Sequence, residues 1–167
     1  MTDEITMPEG LNPKLAALGW LVGRWEGTGH GMTPDGNEFT FEQAVEFGHN
    51  GSDYMFYASQ TFLLDADGKA TEPLDMESGF WRPLPDATLD VVIAHSHGWA
   101  EVWTGTIQLQ RMDLTTDAVM RTGSASIDYT AGVRVYGAVE GDLMYATDIA
   151  TATTPLKPYM WARLKRV

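Results

Sequence analysis

Two histidines of the sequence, His95 and His97, have a spacing that suits metal coordination. Residues two apart on a β-strand point to the same face, so both imidazoles would project to one side. The sequence offers no evident third ligand, although Glu101 or His49 could fold nearby. Because Ser96-His97-Gly98 is typical of a turn, exposed or hydrogen-bonded histidines are the expected case. No metal site is predicted.

Catalysis by a serine, a histidine and an acid is not supported by the sequence. Ser96 lies between two histidines, but neighbouring residues on a strand face opposite sides, and no Gly-x-Ser-x-Gly motif is present. The glycines around Thr28 have the content of a phosphate-binding loop, but no helix follows them to supply free N–H groups. We therefore predict no catalytic residue.

Two carboxylates, Glu77 and Glu101, stand where strands of a barrel could direct them inward. Glu77 is near Arg82 in the sequence. An ion pair inside the barrel or at its rim would fix the register of the strands. We favour this structural role over a role as general acid.

The elements that would position these residues are mostly β-strands. Asn12-Pro13 predicts the start of a short helix, which carries Leu15, Leu18 and Leu21. Short apolar runs separated by turn residues follow the glycine-rich segment from Gly23 to Gly29, at residues 39–47, 54–64, 78–82, 89–95, 100–109, 114–122, 126–139, 143–150 and 158–165. About ten strands without a second long helix predict an all-β, antiparallel up-and-down barrel. Residues 1–12 are expected to form a loose arm, and residues 13–167 a single barrel domain.

The glycine-rich segment has the form Gly-x-Trp-x-Gly-x-Gly, with Gly23, Trp25, Gly27 and Gly29 as its fixed residues. Glycine weakens a strand unless the chain bends there or another backbone or ligand passes close to it. The first strand of a barrel meets these conditions. Trp25 is expected inside the barrel, near its closed end, in contact with Leu18 or Leu21.

Composition excludes several classes of function. The formal net charge of -12 opposes binding to nucleic acid or to anionic membranes. No apolar run approaches the ~20 residues that a membrane-spanning helix needs, and the N-terminus does not resemble a secretion signal, so a cytoplasmic location is expected. The absence of cysteine removes disulfides and thiol chemistry. A homodimer is compatible with the sequence.

The glycine-rich segment resembles the signature of the nitrobindin family, small β-barrels of fatty-acid-binding-protein-like architecture. The similarity continues through residues 77–83, through Val91 to His95 with Gly98 and Glu101, and through residues 141–143 and 155–158. These motifs follow the family's order and spacing over nearly the whole chain. The resemblance implies ferric haem b in the barrel mouth, a histidine on the last strand as its iron ligand, and reactivity toward nitric oxide or peroxynitrite.

Two departures from the family's pattern affect that expectation. Tyr159 occupies the position of the ligand histidine, and Thr33-Pro34-Asp35 places a carboxylate where the resemblance implies a haem propionate. A tyrosine ligates ferric haem as phenolate, usually beside a cation that lowers its pKa. Lys157, Arg163 and Lys165 are candidates for that cation. Strict alternation would point Tyr159 outward unless a bulge follows Pro158.

Two functions therefore remain open. In the first, the barrel has lost its haem ligand, holds no cofactor and binds a hydrophobic small molecule in a cavity lined by methionines and aromatic residues. In the second, Tyr159 ligates haem, and the protein binds nitric oxide or isomerises peroxynitrite to nitrate. The residues predicted to line the cavity or its mouth are Trp25, His95, Tyr159, Met160 and Trp161.

Overall fold

The computed structural model describes residues 7–167, which form a closed barrel of ten antiparallel strands. The strands are β1 (Gly23–Met32), β2 (Glu38–Gly48), β3 (Met55–Leu64), β4 (Ala70–Leu84), β5 (Thr88–His95), β6 (Trp99–Gln108), β7 (Arg111–Arg121), β8 (Tyr129–Val139), β9 (Asp142–Thr151) and β10 (Lys157–Arg166). Each strand pairs with its neighbours in sequence, and β1 pairs with β10 to close the sheet. The predicted up-and-down barrel is confirmed.

A 3-10 helix, Pro13–Leu21, packs against one end of this barrel. The side chain of Asn12 accepts a hydrogen bond from the backbone N–H of Lys14, as expected for a residue that caps a helix. The leucines of the helix are buried in the same core cluster as Trp25, Phe47, Met55 and Trp81. The helix end of the barrel is therefore filled with large apolar side chains. Among the described residues, no helix is long and apolar enough to cross a membrane.

Trp25 lies in this apolar end. Only 1% of its surface is exposed, and its indole Nε1–H donates to the carbonyl of Leu21 at 2.8 Å. The guanidinium of Arg166 lies 4.2 Å from the centre of its ring. The predicted burial of Trp25 and its contact with Leu21 are confirmed.

The glycines of β1 allow the last strand to pass close to the first. A Cβ on Gly27 would lie 2.5 Å from the carbonyl oxygen of Arg163, and a Cβ on Gly29 would lie 2.4 Å from that of Trp161. Both oxygens belong to the β10 backbone, which cannot move away without disturbing the pairing of β1 with β10. The glycine pattern is thus explained by barrel closure.

The predicted arm falls partly outside the described residues, which begin at Met7. Of its described part, Leu11 packs against the core cluster, and the side-chain amide of Asn12 donates to the carbonyl of Gly51 at 3.2 Å. This part is attached to the barrel rather than loose. β4 is also much longer than the run predicted at 78–82, because its polar half still pairs with β3 through a register shift near Phe62 and Pro73.

Candidate binding site at the polar end of the barrel

Charged side chains line the barrel interior at the end opposite the helix. His95 is the last residue of β5 and pairs through its backbone with Glu77 of β4. Side chains alternate between inward and outward along each strand, and Glu101 of β6 and Arg134 of β8 occupy inward positions. They are 2% and 5% exposed. Asp75 is on β4, two residues before Glu77, so both carboxylates face the same side. The alternation of the sheet thus gathers five ionisable groups.

His95 is held by a carboxylate at each ring nitrogen. Its Nδ1 lies 2.8 Å from Oδ2 of Asp75, and its Nε2 contacts Oε1 of Glu101. Burial opposes a charged imidazole, but Glu77, Asp75 and Glu101 outweigh burial and raise the pKa of His95 to about 10. The carboxylates therefore favour the protonated, imidazolium form of His95 at neutral pH.

Arg134 forms the central ion pair of the interior with Glu77. Its two terminal nitrogens lie 2.8 and 2.9 Å from the two oxygens of the carboxylate. Burial opposes ionisation of Glu77, but Arg134 and His95 outweigh it and lower the pKa of Glu77 to about 2. The predicted partner, Arg82, is exposed, because even-numbered residues of this part of β4 point outward. The expectation of an interior ion pair is met, but by a different cation.

Buried tyrosines complete the network as neutral donors. The hydroxyl of Tyr57 donates to Glu77, and that of Tyr129 donates to Glu101. Tyr145 donates to the side chain of Gln43 at 2.6 Å. Burial is the largest cause that raises the pKa of each of these tyrosines, and the nearby glutamates add to it. The interior is therefore hydrogen-bonded and fixed rather than loosely polar.

Tyr159 reaches this interior through a bulge in β10. The register between β10 and β9 shifts between Pro158 and Met160, so Tyr159 and Met160 both line the cavity. Burial raises the pKa of Tyr159, and the negative charges of Asp75 and Glu77 raise it further, against the smaller opposing effect of Arg134.

None of the three cations predicted to act on Tyr159 is among the charged groups that shift its pKa. Arg163 instead binds Glu140 and Asp142 on the outer surface. After the bulge, the even-numbered residues of β10 point into the barrel and the odd-numbered residues point outward. The side chain of Arg163 therefore points away from the cavity. The charged groups that act most strongly on Tyr159 are therefore the carboxylates of Asp75 and Glu77 rather than a cation.

The cavity lined by these residues has a volume of about 30 Å³. Its lining contains the five ionisable groups named above, together with Gln43, Tyr57, Ser59, Thr61, Trp99, Tyr129, Tyr136, Tyr145, Thr147, Ile149, Tyr159 and Met160. Only one methionine is among them. The predicted aromatic lining is present as five tyrosines and one tryptophan, whereas methionine contributes little because Met55 and Met112 pack into the core cluster.

The residues present do not fit a haem bound through Tyr159. Coordination needs the phenolate, and burial, Asp75 and Glu77 raise the pKa of the phenol, so its proton is harder for iron to displace. A volume of about 30 Å³ holds one or two water molecules, while pockets for drug-sized ligands measure about 300–1,000 Å³. Asp35 lies in the exposed turn after β1, where Thr33 and Asn37 bind its carboxylate.

The structure separates the other residues predicted for the site. His95, Tyr159 and Met160 come together in the cavity lining. Trp25 does not, because it fills the helix end of the barrel. Trp161 is 39% exposed and stacks on His30 at the outer surface, because the residue after Met160 points outward.

Several residues of the network, among them Asp75, Tyr129 and Arg134, were not predicted from the sequence. Arg134 carried the clearest signal, since it occupies an inward position of β8 between Gly132 and Tyr136 in strict alternation. A lone cation on the apolar face of a strand indicates a buried partner. Asp75 gave no such signal, because its part of β4 has no apolar alternation.

Comparison with known proteins places the whole barrel in one family. Residues 14–166 match the family described as THAP4-like, heme-binding beta-barrel domain. A ferric nitrobindin-like protein of Cutibacterium acnes is 53% identical over 96% of this chain and 97% of its own length. A peroxynitrite isomerase of Nocardioides sp. is 41% identical over 96% of this chain and 97% of its own length.

A solved structure agrees with these sequence relatives. The crystal structure of Rv2717c from M. tuberculosis superimposes with a TM-score of 0.82 at 30% sequence identity, covering 94% of this chain and 99% of that one. The shared barrel and the level of identity together confirm the resemblance seen in the sequence motifs. The chain belongs to the nitrobindin family of heme-binding-type β-barrel domains.

Proposed function

We propose that this chain is a haem-independent binding protein of the nitrobindin family, whose ligand occupies the polar end of the barrel. The observation that carries the proposal is the environment of Tyr159. Its phenol stands where the family's iron ligand is expected, yet burial and two carboxylates, Asp75 and Glu77, disfavour the phenolate. A neutral phenol is a hydrogen-bond donor rather than a ligand for ferric iron.

The cavity favours a small polar ligand over the hydrophobic molecule expected from composition. The lining includes the charged or hydrogen-bonded side chains of Arg134, His95 and Glu101. An apolar ligand would place these polar groups in contact with hydrocarbon, which costs free energy. A polar ligand would instead exchange hydrogen bonds with water and with the tyrosine hydroxyls. The volume of about 30 Å³ limits such a ligand to a few atoms unless the barrel mouth opens.

A ferric haem protein with Tyr159 as iron ligand is the second candidate. It is favoured by the relative from Nocardioides sp. that carries the name peroxynitrite isomerase, and by the bulge that turns Tyr159 inward. This function requires the barrel mouth to open widely and the phenol to lose its proton.

Titration with hemin separates the two candidates. Under our proposal, the absorption of hemin stays like that of free hemin as wild-type protein is added, and Tyr159→Phe behaves identically. A saturable Soret shift at one hemin per chain, lost in Tyr159→Phe, would establish the haem protein instead. Titration with 1-anilinonaphthalene-8-sulfonate tests the polarity of the ligand, because saturable 1:1 fluorescence enhancement would indicate a large apolar cavity.

A further inference from the structure

Three side chains at the polar end of the barrel have the composition and spacing of a metal site. Ligand atoms of Asp75, Glu77 and His95 all lie within 4.8 Å of one another. Nδ1 of His95 is 2.8 Å from an oxygen of Asp75 and 3.7 Å from one of Glu77. Atoms bound to one metal ion at about 2.0–2.2 Å are separated by comparable distances.

The other nitrogen of His95 is held as it is in established metal sites. A histidine that ligates a metal almost always donates its second ring N–H to a carboxylate, which is itself hydrogen-bonded. Here Nε2 of His95 contacts Glu101, and Glu101 accepts a hydrogen bond from Tyr129. The side chains of His95 and Glu101 are only 4% and 1% exposed, so this support is rigid and dry.

A second histidine provides an independent observation. Nε2 of His97 is buried, has no hydrogen-bond partner among residues 7–167, and lies 3.7 Å from Oδ1 of Asp75. Nδ1 of the same ring is 3.0 Å from the hydroxyl of Ser126, which can accept its proton and leave the lone pair at Nε2. A buried imidazole nitrogen without a partner is costly. A cation on Asp75 would give it one.

Charge and volume agree with a divalent ion. In the part of the chain that the structure describes, the carboxylates of Asp75, Glu77 and Glu101 face one guanidinium, that of Arg134. These four groups together carry two negative charges when His95 is neutral. The cavity of about 30 Å³ accommodates an ion with a water molecule.

We propose that Asp75, Glu77 and His95 bind a first-row divalent transition-metal ion of the zinc type, with His97 beside it. Imidazole favours zinc-type ions over magnesium or calcium, which take oxygen ligands alone. On binding, the ion takes the place of the proton on Nδ1 of His95, and that proton leaves to solvent. The proposal rests on the proposed function in one respect, namely that the cavity holds a small polar ligand.

Isothermal titration of chelator-treated protein with ZnCl₂ tests the site. We expect one Zn²⁺ per chain, and at least a 10-fold weaker Kd in Asp75→Asn, which removes a ligand charge while keeping the side-chain volume. His30→Gln is the matched control, because His30 is an exposed histidine on β1, and it should bind Zn²⁺ as wild type does. Absence of saturable binding, or binding lost in the His30 variant and retained in Asp75→Asn, would overturn the proposal.

Histidine ¹⁵N spectra of wild-type protein give a readout that does not depend on the folding of a variant. One equivalent of Zn²⁺ should shift the ring signals of buried histidines. The signal of His30, which is identified by its absence from the spectrum of His30→Gln, should stay unchanged. Shifts confined to exposed histidines would also overturn the proposal. Hemin titration remains a separate measurement, so a haem-free protein that ignores Zn²⁺ refutes only the metal site.

Discussion

Arg134 and Glu77 form a two-point ion pair inside the barrel, between β8 and β4, which are not neighbours in the sheet. The two side chains are 6% and 14% exposed. Tyr57 and Tyr136 hydrogen-bond to its two ends, so each charge has further partners. The pair fixes how the polar end of the barrel is filled.

Removing the cation of this pair should destabilise the protein strongly. We expect Arg134→Met to lower the free energy of unfolding by about 3–5 kcal/mol, because Glu77 is left buried without its main counter-charge. Urea unfolding measures the change. The control is Arg163→Met, because the Arg163 side chain is 43% exposed and its ion pairs with Glu140 and Asp142 lie on the outer surface, where they should contribute less than about 1 kcal/mol. Equal effects of the two variants would contradict this account.

Trp25 should contribute to stability rather than to binding. Trp25→Ala leaves a large void beneath the helix and removes the hydrogen bond to Leu21, so we expect a loss of about 3–5 kcal/mol in the free energy of unfolding. Trp161→Ala is the comparison, since Trp161 is 39% exposed, and it should cost well under half as much. A small effect at Trp25 would mean that the helix end is not tightly packed.

The glycine motif of β1 should be intolerant of a single added methyl group. In Gly29→Ala the new Cβ meets the backbone of β10 and the ring of Phe41, so we expect a loss of about 1–3 kcal/mol. Gly123→Ala adds the same methyl group where no atom of the described residues, 7–167, lies within 4 Å, and it should change stability by no more than about 0.5 kcal/mol. Thermal unfolding of both variants checks the difference. An unaffected Gly29→Ala would show that β10 can move away from β1.

Replacement of Tyr159 by histidine should favour hemin binding. Neutral imidazole coordinates ferric iron near pH 7, whereas the phenol must first lose a proton that burial, Asp75 and Glu77 retain. We expect Tyr159→His to bind hemin more tightly than wild type and to give a histidine-ligated ferric spectrum. If neither the wild type nor Tyr159→His binds hemin, the shape of the cavity, rather than the residue at position 159, prevents haem binding.

The sequence determined the architecture because local patterns carry it. Alternating apolar residues, turn residues between them and the Asn12-Pro13 helix start are each properties of a few neighbouring residues, and together they predict ten strands and one short helix. The motifs from Gly23 to Pro158 determined the family. The glycine pattern also predicted a close backbone approach, which the structure places at β10.

Only the tertiary structure decided what fills the barrel. Glu77 and Arg134 are 57 residues apart, so no local pattern could pair them, and the nearby Arg82 was the wrong choice. The direction of Tyr159 depends on a bulge of a single residue, which strict alternation cannot locate. Composition likewise counts methionines without telling which end of the barrel they occupy. Strand pattern is encoded locally, whereas the chemistry of the interior depends on which strands closure of the sheet brings face to face.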